Sequence, residues 1–86
     1  MLYKRNPEIV GAELDDEICA FIPSTAEYIT LNETASSIYK MIENPLNTDE
    51  IIQNLSRSYN LDEQTAFDEV KNFLEYGISI GLIICD

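Results

Sequence analysis

The sequence predicts an α+β chain, a three-stranded antiparallel sheet followed by three helices. Apolar residues alternate at a period of two up to Leu31 and recur at i, i+3, i+4 and i+7 beyond Asn32. Turn and cap signals fall between the segments so defined. Size agrees: 86 residues with 45% hydrophobic content fill one small core, and a sheet covered on one face by helices is the two-layer solution open to so short a chain. No repeat, low-complexity tract or Gly/Ser linker divides the sequence, so residues 1–86 are read as a single unit.

The first strand is expected over 8–14 (EIVGAEL) and the second over 17–22 (EICAFI), flanking the acidic turn Asp15-Asp16. Pro23, Ser24 and Thr25 form the next turn, because proline presets φ and the hydroxyls bond local backbone. The third strand then occupies 26–30 (AEYIT), and three short strands so close together make a meander.

From Asn32 the residues Ala35, Ile38, Tyr39 and Ile42 place one apolar stripe on a helix. Thr30 or Asn32 supplies the N-cap, and Thr30 with Glu33 has the spacing of a capping box. Pro45 stops this helix, having no N–H and restricting Asn44 as well. Asn47 with Glu50 three residues on opens a second helix carrying Ile51, Ile52, Leu55 and Tyr59, which Asn60-Leu61-Asp62 interrupts. The third helix starts near Asp62, with Leu61 and Ala66 spaced as a hydrophobic staple, and carries Phe67, Val70, Phe73, Leu74 and Ile78. Gly81 suits the position just past its end, before the apolar tail Leu82-Ile83-Ile84. Gly77 stands inside the helical pattern, where glycine costs about 1 kcal/mol relative to alanine. It either marks a break or leaves a space that something else fills.

Composition excludes several function classes. Five basic residues against sixteen acidic ones, a net charge of -11, repel a phosphate backbone, so nucleic acid is not an expected partner. The same field attracts a basic peptide and opposes self-association, which makes a monomer the expectation. There is no histidine, and Cys19 and Cys85 form no CxxC pair, so metal ligation and Cys/His nucleophilic chemistry lack parts. The two cysteines are expected to be free, buried thiols in a reducing compartment. No apolar run approaches the ~20 residues of a membrane span, and the chain is read as cytoplasmic with no membrane contact. Acidic pairs occur at Asp15-Asp16, Asp49-Glu50, Asp62-Glu63 and Asp68-Glu69. The middle two fall at helix starts, where negative charge complements the macrodipole, and this accounts for them better than acid/base work. Without a phosphate loop, a Gly-x-Ser-x-Gly or a histidine, neither enzymatic activity nor a cofactor is expected.

The run Tyr28 to Ile42 (YITLNETASSIYKMI), Pro45, and the stretch 55–83 (LSRSYNLDEQTAFDEVKNFLEYGISIGLI) together resemble the PqqD-like proteins. These are the precursor-peptide recognition elements of ribosomally synthesised, post-translationally modified peptide pathways. The resemblance covers residues 7–84, and its most specific parts are LNETA, YNLDE, and EVKNFL ending in GLI. It implies a winged-helix-like domain without activity of its own. Such a domain binds the leader segment of a precursor peptide as an added β-strand, between the third strand and third helix, and presents it to a modifying enzyme. That enzyme would be a radical S-adenosylmethionine protein or a leader peptidase/cyclase system. Carried over residue by residue, the cleft comprises Glu27, Tyr28, Ile29, Thr30 and Leu31 on the strand, and Phe67, Val70, Lys71, Leu74 and Ile78 on the helix. A proline at Ile29 is expected to abolish such binding by deleting an edge hydrogen bond. Relatives usually carry a bulky aliphatic residue in place of Gly77 and often Trp in place of Tyr39. The glycine either enlarges the leader pocket or bends the helix, and the tyrosine fills a similar core position.

Plainer readings stand beside these. Tyr28, Ile29 and Leu31 alternate as any half-buried strand does, the stripe on the last helix is partly core, and Lys71 pairs equally well with Glu75 at i+4. Two other functions fit the order of elements. A DNA-binding winged helix needs basic residues that the last helix lacks, and a scaffold could pair a free sheet edge with a second copy.

Overall fold

The computed structural model describes residues 1–86 and runs β1 (Tyr3–Arg5), β2 (Gly11–Leu14), β3 (Glu17–Ile22), β4 (Glu27–Leu31), α1 (Glu33–Met41), α2 (Thr48–Tyr59), α3 (Glu63–Ser79) and β5 (Ile83–Cys85). The expected meander is the antiparallel sheet β2-β3-β4, in which β4 is an edge. Asp15 and Asp16 both take positive φ, as a two-residue hairpin turn of the primed type requires. The strand expected from residue 8 begins at Gly11, because Asn6 accepts from the N–H of Glu8 and turns the chain there, while Ile9 drops into the core. The strand expected from Ala26 begins at Glu27, since Ala26 has a left-handed φ of 59° and donates its N–H to Ile22.

Ile18, Ala20 and Ile22 of β3 point inward against Ile38, Tyr39 and Ile42, and Ile51, Leu55, Val70, Phe73 and Leu74 complete one cluster. The joint between β4 and α1 is fastened by Ser36. Its buried hydroxyl accepts from the N–H of Ile18 and donates to the carbonyl of Leu31, each at 3.0 Å. One oxygen thereby satisfies two buried main-chain groups where the strand ends and the helix begins. Asn32 is the N-cap, accepting from the Ala35 N–H; Thr30 stays in the strand, so no capping box forms with Glu33. Asn47 and Glu50 do form one at α2. At α3 the Asp62 carboxylate accepts from the Thr65 N–H, a bond that holds its pKa below the ordinary value.

Two strands lie outside the expected order of elements, one near each end of the chain. β1 pairs antiparallel with β5, so the apolar tail is a strand in a second, two-stranded sheet. Main-chain bonds between Tyr3 and Leu46 tie the chain after Pro45 to the same ribbon. Arg5 donates to the carbonyls of Tyr39 and Lys40 at the end of α1, and its guanidinium lies 4.6 Å from the Tyr39 ring centroid. Burial raises the pKa of Tyr39, and Arg5 works against that rise. Tyr39 occupies the expected core position.

Gly77 and Gly81 are explained by the return of β5. Gly81, at φ 81°, donates to the Ile78 carbonyl while Leu82 donates to that of Gly77, the two bonds of a Schellman turn. The chain doubles back and lays Ile83 on α3. A Cβ at Gly77 would meet Ile83 Cγ1 at 2.8 Å and Cδ1 closer still. The space is therefore filled by Ile83, not by a leader pocket, and the helix continues through the glycine. Cys19 and Cys85 are free but only half-buried, because β3 turns Cys19 to the open face of its sheet and Cys85 lies in the terminal ribbon.

Two outcomes follow for stability. Ser36→Ala leaves Ile18 N–H and Leu31 C=O unsatisfied and is expected to cost about 1–3 kcal/mol in urea unfolding. Gly77→Ala should destabilise by about 1–3 kcal/mol through overpacking. In an Ile83→Ala background the contacts with Cγ1 and Cδ1 are gone and only the 3.3 Å approach to the Cβ of residue 83 remains, so the same change should cost clearly less than it does in the wild type.

Candidate peptide-binding groove

The register of β3 against β4 pairs Ile18 with Leu31, Cys19 with Thr30, Ala20 with Ile29, Phe21 with Tyr28 and Ile22 with Glu27. Ile18 N–H and Leu31 C=O both reach Ser36 Oγ, so this pair turns its main-chain groups toward each other. Pairing type alternates along an antiparallel ladder. The pairs Ala20–Ile29 and Ile22–Glu27 therefore face inward in the same way, and the N–H and C=O of Tyr28 and Thr30 face outward along the free edge. Those four groups are what an added strand would meet. The main-chain N–H of Ile29 points into the sheet, so a proline there breaks an internal rung and does not remove an edge donor.

Beside that edge runs a groove of about 350 Å³, lined by Thr30, Leu31 and Asn32, by Ala35 and Ile38 of α1, and by Glu69, Asn72, Phe73 and Tyr76 of α3. Its floor is apolar and its rim polar. The volume is at the low end for small-molecule pockets, roughly 300–1,000 Å³, and the groove lies at the end of β4, where Thr30 and Leu31 lead through Asn32 into α1. That shape suits the side chains of an extended peptide.

The five strand residues lie together on the edge: Ile29 and Leu31 turn inward, and Glu27, Tyr28 and Thr30 are exposed. The five helix residues do not line the groove. Val70 and Leu74 are 0% and 4% exposed in the core. Phe67 lies in a hollow on the α2 side with Asp49, Ile52, Gln53 and Glu63. Lys71 has its Nζ 6.0 Å from the Phe67 ring centroid, so it neither reaches the groove nor pairs with Glu75. Ile78 is on the same flank as Phe67, and Glu69 and Tyr76 are roughly half a helical turn away. The apolar stripe marks the side of α3 that meets the core; the groove is bordered by the next flank, where two of the four residues are polar.

The other face of the sheet is also notable. Leu14, Phe21 and Tyr28 share it with Val10 just ahead of β2, and all four are exposed, Tyr28 at 78%. Phe21 and Tyr28 pack as a tilted pair at 5.0 Å. Contiguous exposed apolar residues of this kind mark contact surfaces. No cluster of His, Cys, Asp and Glu could hold a metal ion, and no helix is long and apolar enough to cross a membrane.

An edge strand with unmet main-chain groups, flanked by an apolar groove and a helix, is the geometry that strand-accepting peptide-binding domains use. Residues 17–83 match the family described as coenzyme PQQ synthesis protein D, PqqD, and the chain belongs to that family. Among solved structures it is similar to TbiB1 in complex with the TbiA(beta) leader peptide, at 25% identity and TM-score 0.83, covering 96% of this chain and 99% of that one. It shares its fold with a lasso peptide synthetase B1 complexed with its leader peptide, at 20% identity and TM-score 0.80, covering 96% and 98%. No curated protein matches the sequence.

Main-chain direction along β4 separates the effects of two prolines. Ile29→Pro removes an internal rung and is expected to cost at least about 1–3 kcal/mol. Thr30→Pro removes an outward N–H and should leave urea unfolding nearly unchanged, as proline is tolerated on an edge whose N–H faces solvent.

Proposed function

We propose that this protein is a stand-alone recognition element that binds the leader segment of a ribosomally made precursor peptide and presents it to a modifying enzyme. The leader adds as a strand to the free edge of β4, its main chain bonding Tyr28 and Thr30. Alternate side chains enter the groove against Ala35, Ile38, Phe73 and Tyr76. The observation that carries this reading is the pair of outward-facing residues on β4 beside the groove. Membership of the PqqD family and the likeness to two leader-bound lasso proteins support it. The lasso neighbours favour a leader peptidase/cyclase system over a radical S-adenosylmethionine enzyme as the partner.

In this reading residues 1–86 act as one cytoplasmic, monomeric unit and the chemistry belongs to the partner enzyme. Peptide side chains that do not enter the groove would extend the exposed apolar face around Phe21 and Tyr28, so leader and protein would together form the surface offered to that enzyme. A DNA-reading role is disfavoured by α3, which carries Lys71 alone against Glu63, Asp68, Glu69 and Glu75.

Isothermal titration with synthetic leader segments encoded beside the gene tests the proposal. Saturable binding at micromolar or tighter affinity, abolished by Thr30→Pro and absent with duplex DNA, is expected. No binding by the folded, monomeric protein would remove the leader-binding role and leave edge pairing between copies as the reading to pursue.

A further inference from the structure

Resting on the leader-binding reading, the groove carries a charge that restricts what it can accept. Glu69 is the one ionisable carboxylate among the lining residues, and no basic residue lines the groove. The protein's five cations are all placed elsewhere. Arg5 caps α1, and Lys40 pairs with Glu13, the sole ion pair in the molecule. Lys71 lies over Phe67, Arg57 lines a hollow between α2 and α3, and Lys4 is in β1. Glu69 makes no side-chain hydrogen bond. It is solvated while the groove is open, but a strand laid along β4 would cover it and strip part of that solvation, which an unpaired carboxylate resists. The net charge of -11 adds a field favouring cations at the same place.

Spacing places the counter-charge. Glu69 is one helical turn from Phe73, which forms the apolar part of the α3 wall with Ala35 and Ile38 opposite. Four helical residues rise about 6 Å. Two strand residues advance about 6.7 Å and return to the same face. For a strand running alongside α3, an apolar side chain seated against Phe73 thus brings the next groove-facing residue level with Glu69. We propose that Glu69 is a specificity-determining residue, and that the groove selects peptides with an apolar residue and a Lys or Arg two positions apart. The basic side chain donates to the Glu69 carboxylate while the main chain pairs with Tyr28 and Thr30.

The test is a display selection of random twelve-residue peptides on the purified wild type and on Glu69→Lys, Glu69→Gln and Glu43→Lys. Glu43→Lys makes the same charge change on an exposed residue outside the groove, and circular dichroism confirms that each variant is folded. The wild type and Glu43→Lys should enrich an apolar-x-Lys/Arg pattern, Glu69→Gln should lose the basic preference, and Glu69→Lys should favour Asp or Glu at that position. For one selected peptide, replacing the basic residue with Gln should weaken wild-type binding about tenfold or more, as loss of a charge-assisted hydrogen bond implies. Apolar, strand-forming peptides selected without a cation, or cations enriched at no fixed spacing and equally by Glu69→Lys, would overturn the assignment of Glu69 and leave peptide binding standing. Enrichment of no peptide by any folded variant would instead defeat the leader-binding reading.

Discussion

The pairing register of β3 and β4 is the constraint on which the rest of this structure depends. It is pinned at its last rung by a buried serine hydroxyl that belongs to neither strand. Ser36 fastens the ladder to the helix that follows, so the inward turn of Leu31, the start of α1 and the outward turn of Tyr28 and Thr30 are settled together. A slip of one residue would carry Ile29 and Leu31 to the solvent face and reverse which main-chain groups meet the edge. Register is thus a functional quantity here as well as a structural one.

The groove also requires that α3 stay clear of β4. That helix is held from behind: α2 packs along it, and β5 returns across it with Ile83 against Gly77. Leu82 is buried at the Schellman turn, and Asn6 donates to the Gly81 carbonyl, which fixes the angle of return. With its core side and one flank anchored, α3 offers its remaining flank to the edge strand. A glycine that is costly for an isolated helix is in this way part of what keeps the cleft open.

Much of this was legible in the residues. The hairpin at Asp15-Asp16, the caps Asn47 and Asp62 and the terminator Gly81 are local chemistry, readable wherever the chain goes next. β1 was not legible, because three residues, two of them basic, carry no period, and their partner β5 is more than seventy residues away along the chain. On the strand side alternation assigns faces directly, and of the five expected residues Thr30 and Leu31 line the groove while Glu27, Tyr28 and Ile29 do not. The helix side was not legible. Apolar periodicity identifies Val70 and Leu74 as inward but cannot say which flank of the stripe meets the sheet edge and which meets α2. Glu69, Asn72 and Tyr76 have the composition of an ordinary solvated flank, and Phe73 at the border of the stripe was the only hint of them.

Leu2 and Asp86 exchange both of their main-chain hydrogen bonds, continuing the β1–β5 ribbon to the two ends of the described chain. The path is thereby almost a closed ring, with its ends side by side in the β1–β5 ribbon and none of their residues lining the groove. Chains whose ends lie side by side tolerate circular permutation and insertion into other proteins. This fold can therefore be transplanted as a cassette: spliced into an exposed loop of a larger catalyst through two adjacent strands, it would keep its edge strand and the groove beside it.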